Sequence, residues 1–229
     1  MSEIKYVGKT LFLEEEKILV IGDLHLGYEE YMNQTGVFVS RKMFKEMIEY
    51  LDRVFESVGE IDTVVLLGDV KHDFGKIMRQ EWKDILGLFD YLEKKCRKVV
   101  VVKGNHDKIL EFITRKSSVE LKDFYVEGKF CFMHGDKNFI EAYDEKIKYW
   151  ILGHAHPAVK ISDGVKIEKY KCFLEGKFEG KKIIIVPSFI DFSEGSDPRE
   201  NDLGLAWDFK LDKFDVKIVS EENLEVLDF

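Results

Sequence analysis

Five short runs of this chain carry side chains able to bind a metal ion: Gly22-Asp23-Leu24-His25, Gly68-Asp69, Gly104-Asn105-His106-Asp107, His134-Gly135-Asp136 and Gly153-His154-Ala155-His156. All but one of the six histidines fall inside these runs, and the exception, His72, stands three residues after Asp69. Histidines kept for packing would not gather beside Asp, Asn and Gly at the ends of strands. Asp, Asn and His without cysteine form an N/O donor set that suits manganese, iron, zinc, nickel or cobalt, unlike the thiolate shell of structural zinc. So many ligands imply two ions rather than one, and a pair of divalent ions points to an enzyme acting at a phosphorus centre. His154 and His156, one residue apart, would share a face of a regular strand. After Gly153 the chain is expected to turn, so that each reaches a different ion.

The elements that must position these groups follow from periodicity. Thr10 to Leu13 and Lys17 to Ile21 read as two strands around the charged turn Glu14-Glu15-Glu16, a hairpin opening the fold. Met43, Met47, Leu51, Val54 and Phe55 recur at helical spacing, with Ser40 as the expected N-cap. Thr63 to Leu67 is a buried strand ending at Gly68-Asp69, and Trp82 to Leu92 a second helix. Val99 to Val102, Phe130 to Met133, Tyr149 to Leu152 and Ile183 to Val186 are further strands, each delivering a polar run at its end. Gly204 to Val219 alternates as a closing β-hairpin would, and Lys166 to Lys182, charged and broken by Gly176 and Gly180, does not read as helix. Early strand-helix-strand units followed mostly by strands predict two packed sheets with helices outside, and a site at the carboxyl ends of the strands.

Size and composition narrow the function. The 229 residues suit a single domain, 1–229, with no room for a separate substrate domain. Neither the amino terminus nor any later stretch reads as a leader or a membrane span. Cys96, Cys131 and Cys172, odd in number and widely spaced, read as buried reduced thiols. A soluble, cytoplasmic protein without membrane partners is therefore expected. The net charge of −9 has the wrong sign for a chain that coats itself in nucleic acid. Two divalent ions would nevertheless add four positive charges at one spot, which keeps a nuclease in view.

Taken in order, the five runs resemble the motifs of the calcineurin-like metallophosphoesterase superfamily, D-x-H, G-D, G-N-H-[DE], H and G-H-x-H, from Asp23 to His156. The resemblance implies an α/β fold, a four-layer αββα sandwich with two mixed β-sheets. It implies that Asp23, His25 and His156 hold a first metal, that Asn105, His134 and His154 hold a second, and that Asp69 bridges them. His106 matches the family's catalytic histidine and is not a ligand. Two ions about 3.5–4 Å apart would then hold a bridging hydroxide for in-line attack on phosphorus, and His106 would protonate the departing oxygen. The ions implied are two divalent metals, manganese first, with iron, zinc, nickel or cobalt as alternatives.

Departures from other branches of the superfamily refine this. Phosphoprotein phosphatases carry an arginine soon after the bridging Asp and a glutamate after G-N-H, where this chain has Val70-Lys71-His72 and Asp107. Purple acid phosphatases have a tyrosine where His72 stands, and lipid A pathway pyrophosphatases an arginine where His106 stands. The likeness is instead to small archaeal phosphoesterases and to bacterial ones encoded beside a DNA ligase and a helicase. It implies phosphodiester hydrolysis on DNA or RNA ends, with a helicase or ligase partner and a homodimer in view. Two other readings compete: a phosphodiesterase for small nucleotides or cyclic nucleotides, and a non-catalytic metal-bound scaffold. Arg41, Lys71, His72 and the 188–201 loop are candidates to meet substrate, the loop as a lid or as a plain connection. Tyr28 and Tyr31 near Arg41, and Phe189 and Phe192 beside Arg199, are aromatic candidates against a background of packing. Asp107 and Asp136 are candidates to orient metal-bound imidazoles, with a helix cap as the other reading of Asp107.

Overall fold

Runs of β-branched and aromatic residues form the centre of two sheets, seen in a computed structural model that describes residues 4–75, 78–162, 164–192, 194–220 and 222–229. The first half of the chain gives β1 (Ile4–Val7), β2 (Thr10–Leu13), β3 (Ile18–Ile21), α1 (Tyr28–Gln34), α2 (Met43–Val58), β4 (Thr63–Leu66), α3 (Arg79–Lys95), β5 (Lys98–Val102), α4 (Glu111–Thr114) and β6 (Glu120–Lys122). Its six strands form one sheet in sequence order, antiparallel from β1 to β3 and parallel from β3 to β6. The second half gives β7 (Tyr125–Glu127), β8 (Phe130–Met133), β9 (Tyr149–Leu152), β10 (Ala158–Ser162), β11 (Ile167–Phe178), β12 (Lys181–Ile185), β13 (Asp215–Val219) and β14 (Val226–Asp228). They form a second mixed sheet, ordered β14-β13-β11-β12-β9-β8-β7, with β10 paired to β11 and only β12, β9 and β8 running parallel.

Strand alternation sorts the side chains into layers. Val20, Val65 and Val100 point from the first sheet toward Phe132, Ile151 and Ile184 of the second, forming the core between the sheets. Leu19, Val64, Leu66, Val99 and Val101 point the other way, under Leu51 and Val54 of α2 and Leu88 and Leu92 of α3. Each such fully buried aliphatic side chain contributes roughly 1.5–3 kcal/mol relative to exposure. On the far face of the second sheet, Trp150, Leu152 and Ile185 are covered by Trp207 and Leu203. The α/β sandwich with two mixed sheets follows the sequence reading. Over the second sheet, the helical part of the described outer layer is two short 3-10 turns, Ile140–Tyr143 and Leu211–Lys213.

Several local expectations are corrected. The fold opens with a three-stranded meander, because Ile4–Val7 pairs with β2 at the sheet edge. Ser40 does not cap α2: the buried carboxylate of Glu29, brought in by α1, accepts the Lys42 and Met43 N–H groups at 2.7 and 2.9 Å. A donor-acceptor match across thirteen residues has no local signature. The closing hairpin lies later than expected, between β13 and β14, and most of 204–214 is irregular. One expectation holds: Lys166 to Lys182 forms no helix and is largely β11, whose start pairs with β10 and whose end pairs with β12 and β13.

Candidate metal centre

The carboxyl ends of β3, β4 and β5 in one sheet and β8 and β9 in the other meet at one rim, and each is followed by one of the five polar runs. The loops are sharply bent there. Seven described non-glycine residues have positive φ, and four of them are His25, Asp69, His154 and His156. L-residues rarely adopt that region, and the concentration marks a site where packing overrides backbone preference. At Gly104 a Cβ would fall 2.2 Å from Asp69 Oδ1, so only glycine lets the two loops touch.

Asp69 Oδ2 lies in the middle of the group, 3.5 Å from His134 Nε2, 3.7 Å from His106 Nε2 and 3.8 Å from His25 Nε2. Asp23 is fully buried; its Oδ1 is 3.5 Å from His156 Nε2, and its carboxylate accepts the His154 N–H. Two clusters of potential ligand atoms result, Asp23 with His25 and His156, and Asp69 with His134 and His154, the atoms within each lying within 4.8 Å of one another. Asn105 Oδ1 adjoins the second, 3.0 Å from His134 Nε2. A third cluster, His25, His72 and His106, lies toward the mouth.

The donor set fits divalent cations. His134 donates its Nδ1–H to the Leu67 carbonyl at 2.7 Å, which turns the Nε2 lone pair inward. There it meets Asn105 Oδ1, Asp69 Oδ2 and His154 Nδ1, the last at 3.1 Å. His25 Nε2 likewise faces His156 Nε2 at 3.3 Å. Converging lone pairs repel unless a cation or a shared proton lies among them, and, against the opposing effect of burial, Asp23 and Asp69 raise His134 toward holding such a proton. Burial holds the His25 imidazole down to about 2 and lowers His154, so these rings present lone pairs rather than protons. Burial, reinforced by Asp23 and Asp107, pushes Asp69 up to about 8, whereas Asp23, despite burial, is held low by His156, His134 and His25. Carboxylates and neutral imidazoles at this spacing are what a hard-to-borderline cation compensates.

His106 hangs at the mouth. Its Nδ1 is hydrogen-bonded to the His72 carbonyl, its N–H donates to Asp69 Oδ1 at 2.9 Å, and Nε2 faces the cluster. His72, a candidate to meet substrate from the sequence, is drawn in beside it: its Nδ1 is 3.5 Å from His25 Nδ1, and burial brings its imidazole down to about 4. Behind both histidines lies a support that sequence reading missed. Glu81, buried on α3, accepts the N–H groups of His72, Asp73 and Met78 at 2.9, 3.2 and 3.2 Å. Lys71 is fully buried, so it is no surface contact for phosphate; its Nζ donates to the His106 carbonyl at 3.3 Å.

Other candidates take different places. The Asp107 carboxylate accepts the Gly104 and Lys71 N–H groups, tying two loops together rather than holding an imidazole or capping a helix. The acceptor that orients His134 is the Leu67 carbonyl, not Asp136. Arg41 donates to Gln80 at 3.3 Å, and Phe189 is buried against Tyr50. Of the 188–201 loop, Ser193 lies outside the described residues. The loop's two ends are fastened: Lys171 Nζ donates to Ser188 Oγ and the Ile190 carbonyl at 2.7 and 2.6 Å, and Asp197 accepts from Arg199 and from the Lys160 N–H. With its ends held the loop forms a wall, which shares a cavity of about 680 Å³ with His154 and His156.

A two-sheet sandwich with a His/Asp cluster at its strand ends defines a class, the metal-dependent hydrolases. The chain belongs to the calcineurin-like phosphoesterase family, whose profile matches residues 16–220, and it is a metal-dependent phosphoesterase. The nuclease MPE of Pseudomonas putida, 17% identical, superposes with a TM-score of 0.68 over 96% of this chain and 92% of that one, which shows the shared fold. Wild-type Vps29 with zinc from Entamoeba histolytica (18% identity, TM-score 0.41, 93% of this chain and 96% of that) and a predicted phosphoesterase from Streptococcus pneumoniae (14%, 0.37, 93% and 97%) superpose more loosely. No curated protein matches the sequence. Among the described residues no helix is long and apolar enough to cross a membrane.

Proposed function

We propose that this phosphoesterase cleaves phosphodiester bonds of nucleic acid, as a single-domain enzyme, with two divalent ions, manganese foremost. Asp23, His25 and His156 would hold one ion, Asn105, His134 and His154 the other, with Asp69 shared between them. The observation that carries this reading is the central position of Asp69 Oδ2, which faces imidazoles from both halves of the cluster. Ions held there would supply Lewis acidity, withdrawing charge from the phosphoryl oxygens and lowering the pKa of water.

The chain's own groups do the rest. Leu67 and His72, through their carbonyls, fix the ring orientations of His134 and His106. His106 Nε2 is aimed at the cluster from the mouth; burial lowers this imidazole, so the anionic substrate facing it would supply the charge that holds a proton on Nε2, and that proton would pass to the leaving oxygen as its bond to phosphorus breaks. Lys71, Glu81 and Asp107 hold the segment that carries His106 and His72.

The test is manganese-supplied hydrolysis of end-labelled single- and double-stranded oligonucleotides beside bis-p-nitrophenyl phosphate, for wild type and His106→Ala. Oligonucleotide cleavage lost in the variant and on chelation supports the proposal. Hydrolysis of the small diester with every oligonucleotide intact contradicts the nucleic-acid substrate and moves the activity to small nucleotides.

A further inference from the structure

Four aromatic rings that belong to none of the three apolar cores stand around the corner of the site formed by His72 and His106. Phe74 lies over His106, with centroids 3.6 Å apart and planes at 30°. Tyr28 and Tyr31 meet His72 edge-on at 4.9 and 5.0 Å. Phe192, from the loop after β12, leans on Tyr28 at 5.7 Å and 35°. Phe74, Tyr31 and Phe192 leave 50, 40 and 48% of their surface in water. The rings come from α1 and from loops of both sheets, so separate parts of the chain bring them to one mouth. A ring left half in water forgoes part of the burial that would otherwise stabilise the fold.

We propose that Tyr31, Phe192 and Phe74, backed by Tyr28, form a stacking platform for nucleobases next to the phosphodiester being cleaved; this rests on the nucleic-acid reading above. The chemistry selects the ligand. A half-exposed ring beside the reacting phosphate offers a flat apolar face, and every base has a matching face whatever its sequence. The protein is acidic, with a net charge of −9, and Lys169, the cation on the facing wall of the cavity, is paired with Glu194 at 3.0 Å. Along that wall Lys169 is thus already engaged, and stacking on the rings supplies the grip there. A base is available to these rings only when its face is free, so the platform favours unpaired over paired strands.

The experiment compares a dT 12-mer with a 12-mer of the same phosphate count built from abasic tetrahydrofuran units. The manganese-loaded enzyme gives KM and kcat for the first and an inhibition constant for the second. Wild type, Tyr31→Ala/Phe192→Ala and the ring-conserving Tyr31→Phe/Phe192→Tyr are compared, each checked for an unchanged melting temperature. Phe74 is left in place because it packs on His106. The platform predicts that the abasic oligomer binds about fivefold or more weakly than dT in wild type. It also predicts that the alanine pair raises KM for dT by a similar factor, moves kcat less and leaves the abasic oligomer unaffected, while the ring-conserving pair behaves as wild type. Equal binding of the two oligomers by an enzyme that cleaves dT overturns the platform and leaves the nucleic-acid reading standing. Failure to bind or cleave dT, with bis-p-nitrophenyl phosphate still hydrolysed, overturns both.

Discussion

The floor and the mouth of the metal centre are built by different means. On the floor, Asp23, Asp69 and His134 are almost wholly buried, and their partners are one another and the backbone of neighbouring strand ends. At the mouth, His72 and His106 are half-buried, and the supports beneath them, Lys71, Glu81 and Asp107, belong to the loop after β4, to α3 and to the loop after β5. The floor is where ligands must converge within a few ångströms, so it tolerates strained φ values at His25, Asp69, His154 and His156. The mouth is where we propose a proton donor and a substrate face, which need orientation and access more than convergence.

If that division is right, the two regions fail differently. The largest effect is expected for Asp69→Ala, which removes the shared acceptor of the floor. Turnover should fall by more than the ~10²–10³-fold cost of a single charge-stabilising donor, with manganese content, read by elemental analysis, falling alongside. His106→Ala, at the mouth, should lose about 10²–10⁴-fold on esters with poor leaving groups, far less on good ones, and keep its metal. Lost metal in that variant would erase the distinction between floor and mouth.

A smaller effect tests the floor through stability. Chelation should lower the melting temperature by several degrees, since ligand at about a hundred times its dissociation constant stabilises by ~2.7 kcal/mol and each kcal/mol moves a chain of this size by about 2–4 °C. An unchanged melting curve would mean that the cluster does not depend on ions. The smallest effect concerns the wall beyond His156. Hydrogen bonds from Arg199 hold the buried Asp197 carboxyl below the ordinary carboxylate range. Its stabilisation is therefore present above the unfolded value of about 3.9 and is lost as pH falls toward the folded one. Asp197→Asn should be destabilised at pH 7, and the gap from wild type should narrow below about pH 4. A gap that does not change with pH would show that the charge on Asp197 is not what fastens the wall.

The same division explains what could be read from the sequence. The floor was legible because its residue types are rare and regularly placed: Asp, Asn and His follow apolar strands at Asp23, Asp69, Asn105, His134 and His154. The structure brings all of them to one rim, within reach of His25 and His156. The sheets were legible from runs such as Val64 to Leu66, whose every residue is buried. The mouth was not. Lys71 and Glu81 look like ordinary surface charges until α3 closes over the loop after β4, and Glu29 replaces the expected Ser40 cap only once α1 has docked. Phe74 looks like a core residue, and only the fold shows that it is left outside the core. The edge strand Ile4–Val7 is recruited by pairing with β2, too short and too exposed to announce itself.

The central claim is a two-ion floor organised around Asp69. The most direct measurement is a manganese titration of metal-free protein followed by electron paramagnetic resonance. Two ions bound per chain and a spin-coupled signal from a close pair are expected, which Asp69→Ala reduces to the spectrum of isolated manganese. Saturation at one ion per chain, or two ions without coupling, would contradict the claim.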